Sequence, residues 1–393
     1  MGSIPASPTS ADFVFIAGHP NQPACIGVSS YALNRAFSRV EVFLLPEIRQ
    51  SDVLHMHVLS KLVLAPDAGE PIEEFKVWDG FWLTADAHHV PVRAFGALKR
   101  SEGGLHKGLD SLLDGERARV AGLMENLPVI CRELEAGGIR VAVIKSLDHW
   151  PDFGSDIDLF TEAPEGSVSA IMRSRFDAKI VPATIGDRLA NKVNYQIPGL
   201  RELVEVHFGR LGQTGEHMQL ARRILAGSRI EEFNGVALPV PAPEERLLLA
   251  ALQRMYRHFL LRICDVANTA RIVDSGQVDF DELRHASKAA GIWPGVATYL
   301  NLVSQYVEHY RGHGLRLPYR VLRAARFGLG KVYPHAGFLR LPLFPQAASL
   351  YTRQLARSVG RDPTASLRLT LLPPLAAAAG TKYRVTGSDK GIW

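Results

Sequence analysis

The stretch Asp156-Ile157-Asp158-Leu159-Phe160 constrains this chain more than any other, because it sets two carboxylates one residue apart at the start of an apolar strand. In an extended strand, residues i and i+2 share a face. Asp156 and Asp158 therefore project together, while Ile157 and Leu159 point the other way, into a core. Carboxylates that close repel each other, and each is costly to remove from water without a partner. A divalent cation relieves both penalties, and hard oxygen donors favour Mg²⁺ or Mn²⁺. An acidic pair on an exposed edge strand is the plain alternative. Farther on, "LVEVHFG" alternates in the same way, with Glu205 and His207 on one side and Val204, Val206 and Phe208 on the other. Three carboxylates from two adjacent strands can hold two metals roughly 3.5–4 Å apart, an arrangement that supports in-line nucleotidyl displacement.

The elements around these strands read as a compact α/β unit. "ERARVAGLMENLPVICRELEAGG" carries Val120, Leu123, Leu127, Ile130 and Leu134 near a 3.6-residue period, and Gly137-Gly138 ends the helix. "IRVAVIKSL" is a buried strand, and "SDIDLFT" follows it after a Pro/Asp/Gly turn. "SVSAIMRSRF" is a short helix, and "KVNYQIPG" and "ELVEVHFG" are strands around a Pro-Gly turn. Prolines in "LPVPAPEERLLLAAL" end a strand and open a helix, with Glu244 and Glu245 at its positive end. Residues 246–310 read as helical. Residues 1–115 read as mixed: "FVFIAG", "RVEVFLLP" and "HMHVLSKLVL" are strand-like, and "VWDGFWLTADAHHVPVRAFGALKR" suggests a helix ending near Val90-Pro91. The expected domains are 1–115, 116–245, 246–310 and 311–393.

With these residues in place, the segment from about Glu116 to Val307 resembles an uncharacterised bacterial nucleotidyltransferase family of the polymerase-β-like superfamily. That family's pattern runs from a helix to two hydrophobic residues with Lys-Gly, then Asp-h-Asp-h-h, then h-Asp/Glu-h-His. A "v-P-x-P" helix start and a later helix with His and Asp follow. This chain supplies Val143-Ile144-Lys145, the pair Asp156 and Asp158, Glu205 with His207, Val240-Pro241-Ala242-Pro243, His258 and Asp265. It departs at Ser146, where the family has glycine and where a Cβ crowds the backbone's approach to phosphates.

The resemblance implies an α+β polymerase-β-like core with a mostly helical second domain and a basic C-terminal helical region. It implies a metal-dependent transfer of NMP from an NTP to an acceptor hydroxyl. Asp156, Asp158 and Glu205 would be catalytic and metal-binding, with Mg²⁺ (or Mn²⁺) as cofactor. Lys145, Ser146, Ser155, Arg254, His258, Arg262 and Asp265 would contact the nucleotide, and His207 would orient Glu205 or touch the acceptor. Arg254, His258 and Arg262 follow an i, i+4, i+8 spacing with Asp265 beyond them, which reads as one polar helical stripe, either a second wall of the cleft or a salt-bridged solvated face.

Charge adds a second feature. From Arg311 onward there are 14 Lys/Arg against two acids, which leaves 31 bases and 38 acids in the first 310 residues, a net of −7. A basic tail on an acidic body points to an anionic partner for Arg311–Lys390, either tRNA or an anionic membrane surface. Arg316, Arg320 and Arg323 are expected on one helical stripe, with Arg353 and Arg357 repeating the theme. Cys25, Cys131 and Cys264 are widely spaced and odd in number, so they read as buried hydrophobes in a reducing compartment. Neither a secretory signal nor a transmembrane segment is expected, so the location reads as cytoplasmic, with peripheral membrane contact through the tail. Two other functions fit parts of the pattern. One is a metal-dependent glycosyltransferase holding a sugar nucleotide through D-x-D, although "FVFIAGHPNQPACIG" is a poor nucleotide-binding loop. The other is a catalytically inactive nucleotide-binding scaffold, which Ser146 favours.

Overall fold

Among the described residues, helices α1 (Gln50–Leu64), α2 (Phe81–Ala87) and α3 (Pro91–Glu102) precede the long α4 (Lys107–Ala136). The strand-like run "HMHVLSKLVL" lies inside α1. Its buried residues Met56, Leu59 and Leu62 repeat at helical spacing, and that packing outweighs the β-branched composition. The break expected near Val90-Pro91 is real, and Pro91 opens a further helix, as proline does readily at a first helical position. The computed structural model describes residues 50–66, 80–102, 107–211, 218–335, 337–342 and scattered positions from 352 to 381, and these described residues belong to one compact unit. The strand-like segments "FVFIAG" and "RVEVFLLP", Cys25, Arg353 and Arg357 lie outside the described residues.

The five-stranded sheet consists of β1 (Ala142–Val143), β2 (Asp156–Thr161), β3 (Lys179–Ile180), β4 (Lys192–Gln196) and β5 (Leu203–Phe208), in the spatial order β1-β2-β5-β4-β3. Helices α5 (Glu165–Phe176) and α6 (Ile185–Ala190) fall between its strands. β2 and β5 are parallel and the other pairings are antiparallel, so the fold is α+β with a mixed sheet. Gly199, with φ +83, supplies the left-handed turn between β4 and β5 that a Cβ would strain. The helical stripe Val120, Leu123, Leu127, Ile130 and Leu134 joins Ile157, Leu159, Val204 and Val206 in one core. Each of these large side chains, once buried, contributes about 1.5–3 kcal/mol.

Beyond the sheet come α7 (Met218–Ala226), the hairpin β6 (Arg229–Phe233) and β7 (Val236–Val240), and α8 (Pro243–Gln253). Next are a π-turn (Arg254–His258), β8 (Leu260–Leu261), α9 (Ile263–Asp274), α10 (Phe280–Ala289), α11 (Trp293–Arg311) and α12 (Tyr319–Ala324), then β9 (Tyr333–His335) and β10 (Phe338–Arg340). β10 pairs with β8, which ties the start of the basic region to the π-turn. The single stripe expected for Arg316, Arg320 and Arg323 does not form, because Pro318 caps α12 and leaves Arg316 outside it. Arg311 and Arg320 pair with Asp274 and Asp281, each at 2.9 Å, and Arg316 and Arg323 are exposed. Cys131 and Cys264 are free and buried, as expected. Among the described residues no helix is long and apolar enough to cross a membrane.

Gly295 in α11 lets this helix approach the π-turn, since a Cβ there would lie 2.3 Å from the Tyr256 hydroxyl and 2.6 Å from its ring. The Gly295→Ala variant is expected to lose about 1–3 kcal/mol through overpacking. A urea titration of both proteins checks this, and an unchanged midpoint refutes it.

Candidate metal and nucleotide site

The parallel register of β2 and β5 sets Asp158 directly opposite Glu205. Asp156 and His207 lie on the same face, and the antiparallel partner β4 adds Lys192 and Asn194, opposite His207 and Glu205. The reverse face carries Ile157, Leu159, Val204, Val206 and Tyr195, all fully buried. Ligand atoms of Asp158, Glu205 and His207 lie within 4.8 Å of one another. Asp156 stands outside this tight group, so the three carboxylates expected to converge do so as two, with His207 in the third place. His207 Nε2 lies 2.8 Å from Glu205 Oε1 and 3.3 Å from Asp158 Oδ1, orienting both carboxylates from a buried position.

Two lysines neutralise this group. The Lys145 ammonium is paired with Asp158 and lies 3.9 Å from Glu205 Oε1. Lys192 pairs with the other Glu205 oxygen and, at 3.0 Å, with Asp187, whose side chain also caps α6. Although burial opposes it, the His207 hydrogen bond and the charges of Lys145 and Lys192 hold Glu205 well below the usual carboxylate range. Burial likewise works against the Lys192 ammonium, yet Glu205 raises it. Asp156 is different, because burial and then the charge of Asp158 push its carboxyl up. Its one hydrogen bond from a neighbouring side chain is donated by Ser155 Oγ at 3.0 Å, and among the described residues no cation pairs with it. An oxygen-rich group with an unrelieved repulsion at Asp156 fits a hard divalent cation.

Lys145 reaches the group from a tight turn. Its backbone is at φ 63, ψ −53, and the Ser146 N–H donates to Ile144 O at 2.6 Å, which is the rare, strained form of the γ-turn. The expected strand therefore stops at Val143, with one further ladder bond from Ile144 to Asp158. Ser146 is buried. Its hydroxyl donates to Asp156 O at 3.1 Å and accepts from Asp158 N–H at 2.8 Å. Expected at the phosphates, Ser146 here holds β2 through its hydroxyl, while its N–H closes the turn on Ile144. The loop before β2 is fixed from the helical side. Asp152 accepts from Val92 N–H and Arg93, and Arg119 donates to the carbonyls of Phe153 and Gly154.

Arg254, His258 and Arg262 do not share a helix. α8 ends at Gln253, the π-turn follows, Phe259 is left-handed at φ 54, and α9 begins at Ile263. Pairing of Leu261 with Leu339 overrides the helical spacing. Arg254 and Asp265 are buried and paired at 2.7 Å, so neither is placed to meet a nucleotide directly. Asp265 also accepts from the Arg262 N–H. His258 keeps an exposed edge, yet enclosure of its ring, then Arg257, Arg254, Arg262 and Lys145, hold it well below the usual imidazole range. The charge of Arg257 also reaches Lys192. The π-turn, a feature frequent at functional sites, therefore brings Arg257 and His258 within electrostatic reach of the two lysines on the carboxylates. Sequence reading missed Lys192, Asp187 and Arg257. The alternation in "KVNYQ" carried a signal for Lys192, whereas a helical spacing hid Arg257.

No family model matches the chain, and no curated protein matches it. Among solved structures, an antigenic nucleotidyltransferase-like protein from Paracoccidioides brasiliensis is similar over 44% of this chain and 91% of its own, at 15% identity and a TM-score of 0.29. A likeness of that size carries no argument about the chemistry of this chain.

Removing Asp265 would strand Arg254 as a buried cation. Asp265→Ala is expected to lose about 3–5 kcal/mol of stability. Denaturant unfolding measures this, and a loss below about 1 kcal/mol, the worth of an exposed pair, would rule out a buried ion pair.

Proposed function

We propose that this protein is a metal-dependent nucleotidyltransferase, moving NMP from an NTP to an acceptor hydroxyl. The observation that carries the reading is the placement of Asp158 against Glu205 across parallel strands, with Asp156 and His207 on the same face and a fully apolar reverse face. Asp156, Asp158 and Glu205 would hold Mg²⁺ or Mn²⁺. A divalent cation bound there supplies charge neutralisation for the polyphosphate and acidifies the acceptor hydroxyl. In the transfer, the acceptor oxygen–Pα bond forms as the Pα–O–Pβ bond breaks, pyrophosphate leaves with the bonding pair, and the acceptor proton is given up to solvent.

The chain's own residues do the positioning. Lys145, held on Asp158 by its strained turn, is placed to exchange that carboxylate for a phosphate oxygen when nucleotide arrives. Lys192 keeps Glu205 ionised, and His207 fixes the orientation of Glu205 and Asp158 from below. Ser146 holds β2 in place, and Ser155 orients Asp156. Arg257 and Arg262 form the cationic side of the cleft with a neutral His258 beside them, and Asp265, paired with Arg254, accepts from the Arg262 N–H. We assign 116–245 to the catalytic core and 246–310 to the helical wall.

The self-neutralised carboxylates also fit an inactive nucleotide-binding scaffold, and one titration separates the two. Each NTP is titrated calorimetrically with Mg²⁺ or with EDTA into the wild type and Asp156→Asn/Asp158→Asn. Metal-dependent binding lost in the double variant is the expected result. Binding of equal strength in EDTA supports the scaffold, and binding of sugar nucleotides alone supports a glycosyltransferase.

A further inference from the structure

Arg262 carries a charge that the fold leaves unpaired. The nearby Asp265 carboxylate pairs with Arg254, and among the described residues no carboxylate oxygen lies within ion-pair distance of the Arg262 guanidinium. One arm, Nη1, donates to His89 Nε2 at 2.9 Å, while Nε is buried without a partner. Burial, then the charge of Arg254, pushes this guanidinium below its usual range. A cation withdrawn from water beside another cation destabilises the free protein, unless an anion comes to meet it.

The surrounding imidazoles have the same bias. His89 accepts from Arg262 at Nε2, so the neutral ring keeps its proton on Nδ1, and that N–H is buried without a partner. His149 accepts from Asn268 at Nδ1, because Arg93 fixes the Asn268 carbonyl at 3.0 Å, and its proton then sits on Nε2. Burial and the neighbouring cations keep both rings neutral, with His89 pushed down to about 2. His89, His149 and Cys264 do gather ligand atoms within 4.8 Å. The imidazole lone pairs that a metal needs are, however, already engaged by Arg262 and Asn268. What remains are N–H donors and a guanidinium, which suit an anion.

The cluster borders the carboxylate strand. Gly154 lies two residues before Asp156, and a Cβ there would sit 3.4 Å from His89 Nδ1 and 3.7 Å from His149 Cδ2. The charge of Arg262 also reaches His258, which lies within reach of Lys145. We infer that Arg262 receives the polyphosphate tail of the nucleotide, with His89, from the helices before the core, as the positioning residue that holds its guanidinium. The identity of the anion rests on the nucleotidyltransferase reading of the carboxylate site; the anion site itself rests on Arg262 and its neighbours.

The test is binding of sodium tripolyphosphate to the full chain in EDTA, read with the melting temperature of each unliganded variant. Wild type is expected to bind it, with NTP as a competitor. Arg262→Met should weaken binding about tenfold to hundredfold, while its unliganded melting temperature stays level or rises because an uncompensated cation is gone. Arg262→Lys should retain part of the affinity, and His89→Gln should weaken binding without lowering the melting temperature. Asp156→Asn/Asp158→Asn should still bind tripolyphosphate in EDTA. Unchanged binding in Arg262→Met would overturn the proposal, as would simultaneous binding of tripolyphosphate and NTP. A stoichiometric Zn²⁺ complex lost in Cys264→Ser would overturn it in favour of a metal site. Tripolyphosphate binding that survives where NTP shows no metal dependence would overturn the nucleotidyltransferase reading alone. Metal-dependent NTP binding that ignores Arg262→Met would overturn this inference alone.

Discussion

The parallel pairing of β2 with β5 is the constraint on which the rest of the structure depends. Its register decides that Asp158 faces Glu205, and it decides in the same step that Ile157, Leu159, Val204 and Val206 enter the core beneath α4. A slip of one residue would exchange the two faces, driving carboxylates into the apolar core and Leu159 into the cleft. The hydrophobic side of the sheet thus fixes the chemical side. Ser146 reinforces this arrangement, because its hydroxyl continues the bonding of β2 where β1 has already ended.

Given that register, the acidic face has to be neutralised, and the chain does so with its own side chains. Lys145 and Lys192 approach Glu205 from opposite sides, one from a strained turn and one from the neighbouring antiparallel strand. Asp156 is left out of the network, next to Ser155 and the opening of the strand. The result is a group of carboxylates whose cationic partners are long, flexible side chains that can change rotamer without moving the sheet. The helices around it are held by buried ion pairs instead, with Arg93 on Asp152, Arg119 on Glu202 and Arg254 on Asp265. Breaking any one of those leaves a charge in the interior, so these contacts are suited to fixing geometry.

Much of this was legible in the chain. The stripe of α4, the alternation of "SDIDLF" and "LVEVHFG" and the proline-led start of α8 each follow from a local period that matches the observed burial. Elsewhere, local rules conflicted with long-range packing. The run around His55 looked β-like, but its buried positions fall at helical spacing against α3 and the start of α9. Arg254, His258 and Arg262 looked like a helical stripe, but a two-residue strand pairing with β10 intervenes. His89 gave no signal, since a histidine in an unperiodic stretch has no meaning until its neighbours are known.

The sequence by itself determined which faces are apolar and which residues are acidic, because periods of two and 3.6 residues sort side chains without reference to anything distant. That was enough to find Asp156, Asp158, Glu205 and His207 and to foresee that they share a surface. Only the tertiary structure decided which charges neutralise which. Pair energies fall off steeply with distance and solvent exposure, so the partners of Glu205, Arg254 and Arg262 depend on ångström-scale placement by strands and helices far apart in the chain. Lys192 became a partner of the carboxylates, Asp265 was taken by Arg254, and Arg262 was left without a counter-charge among the described residues.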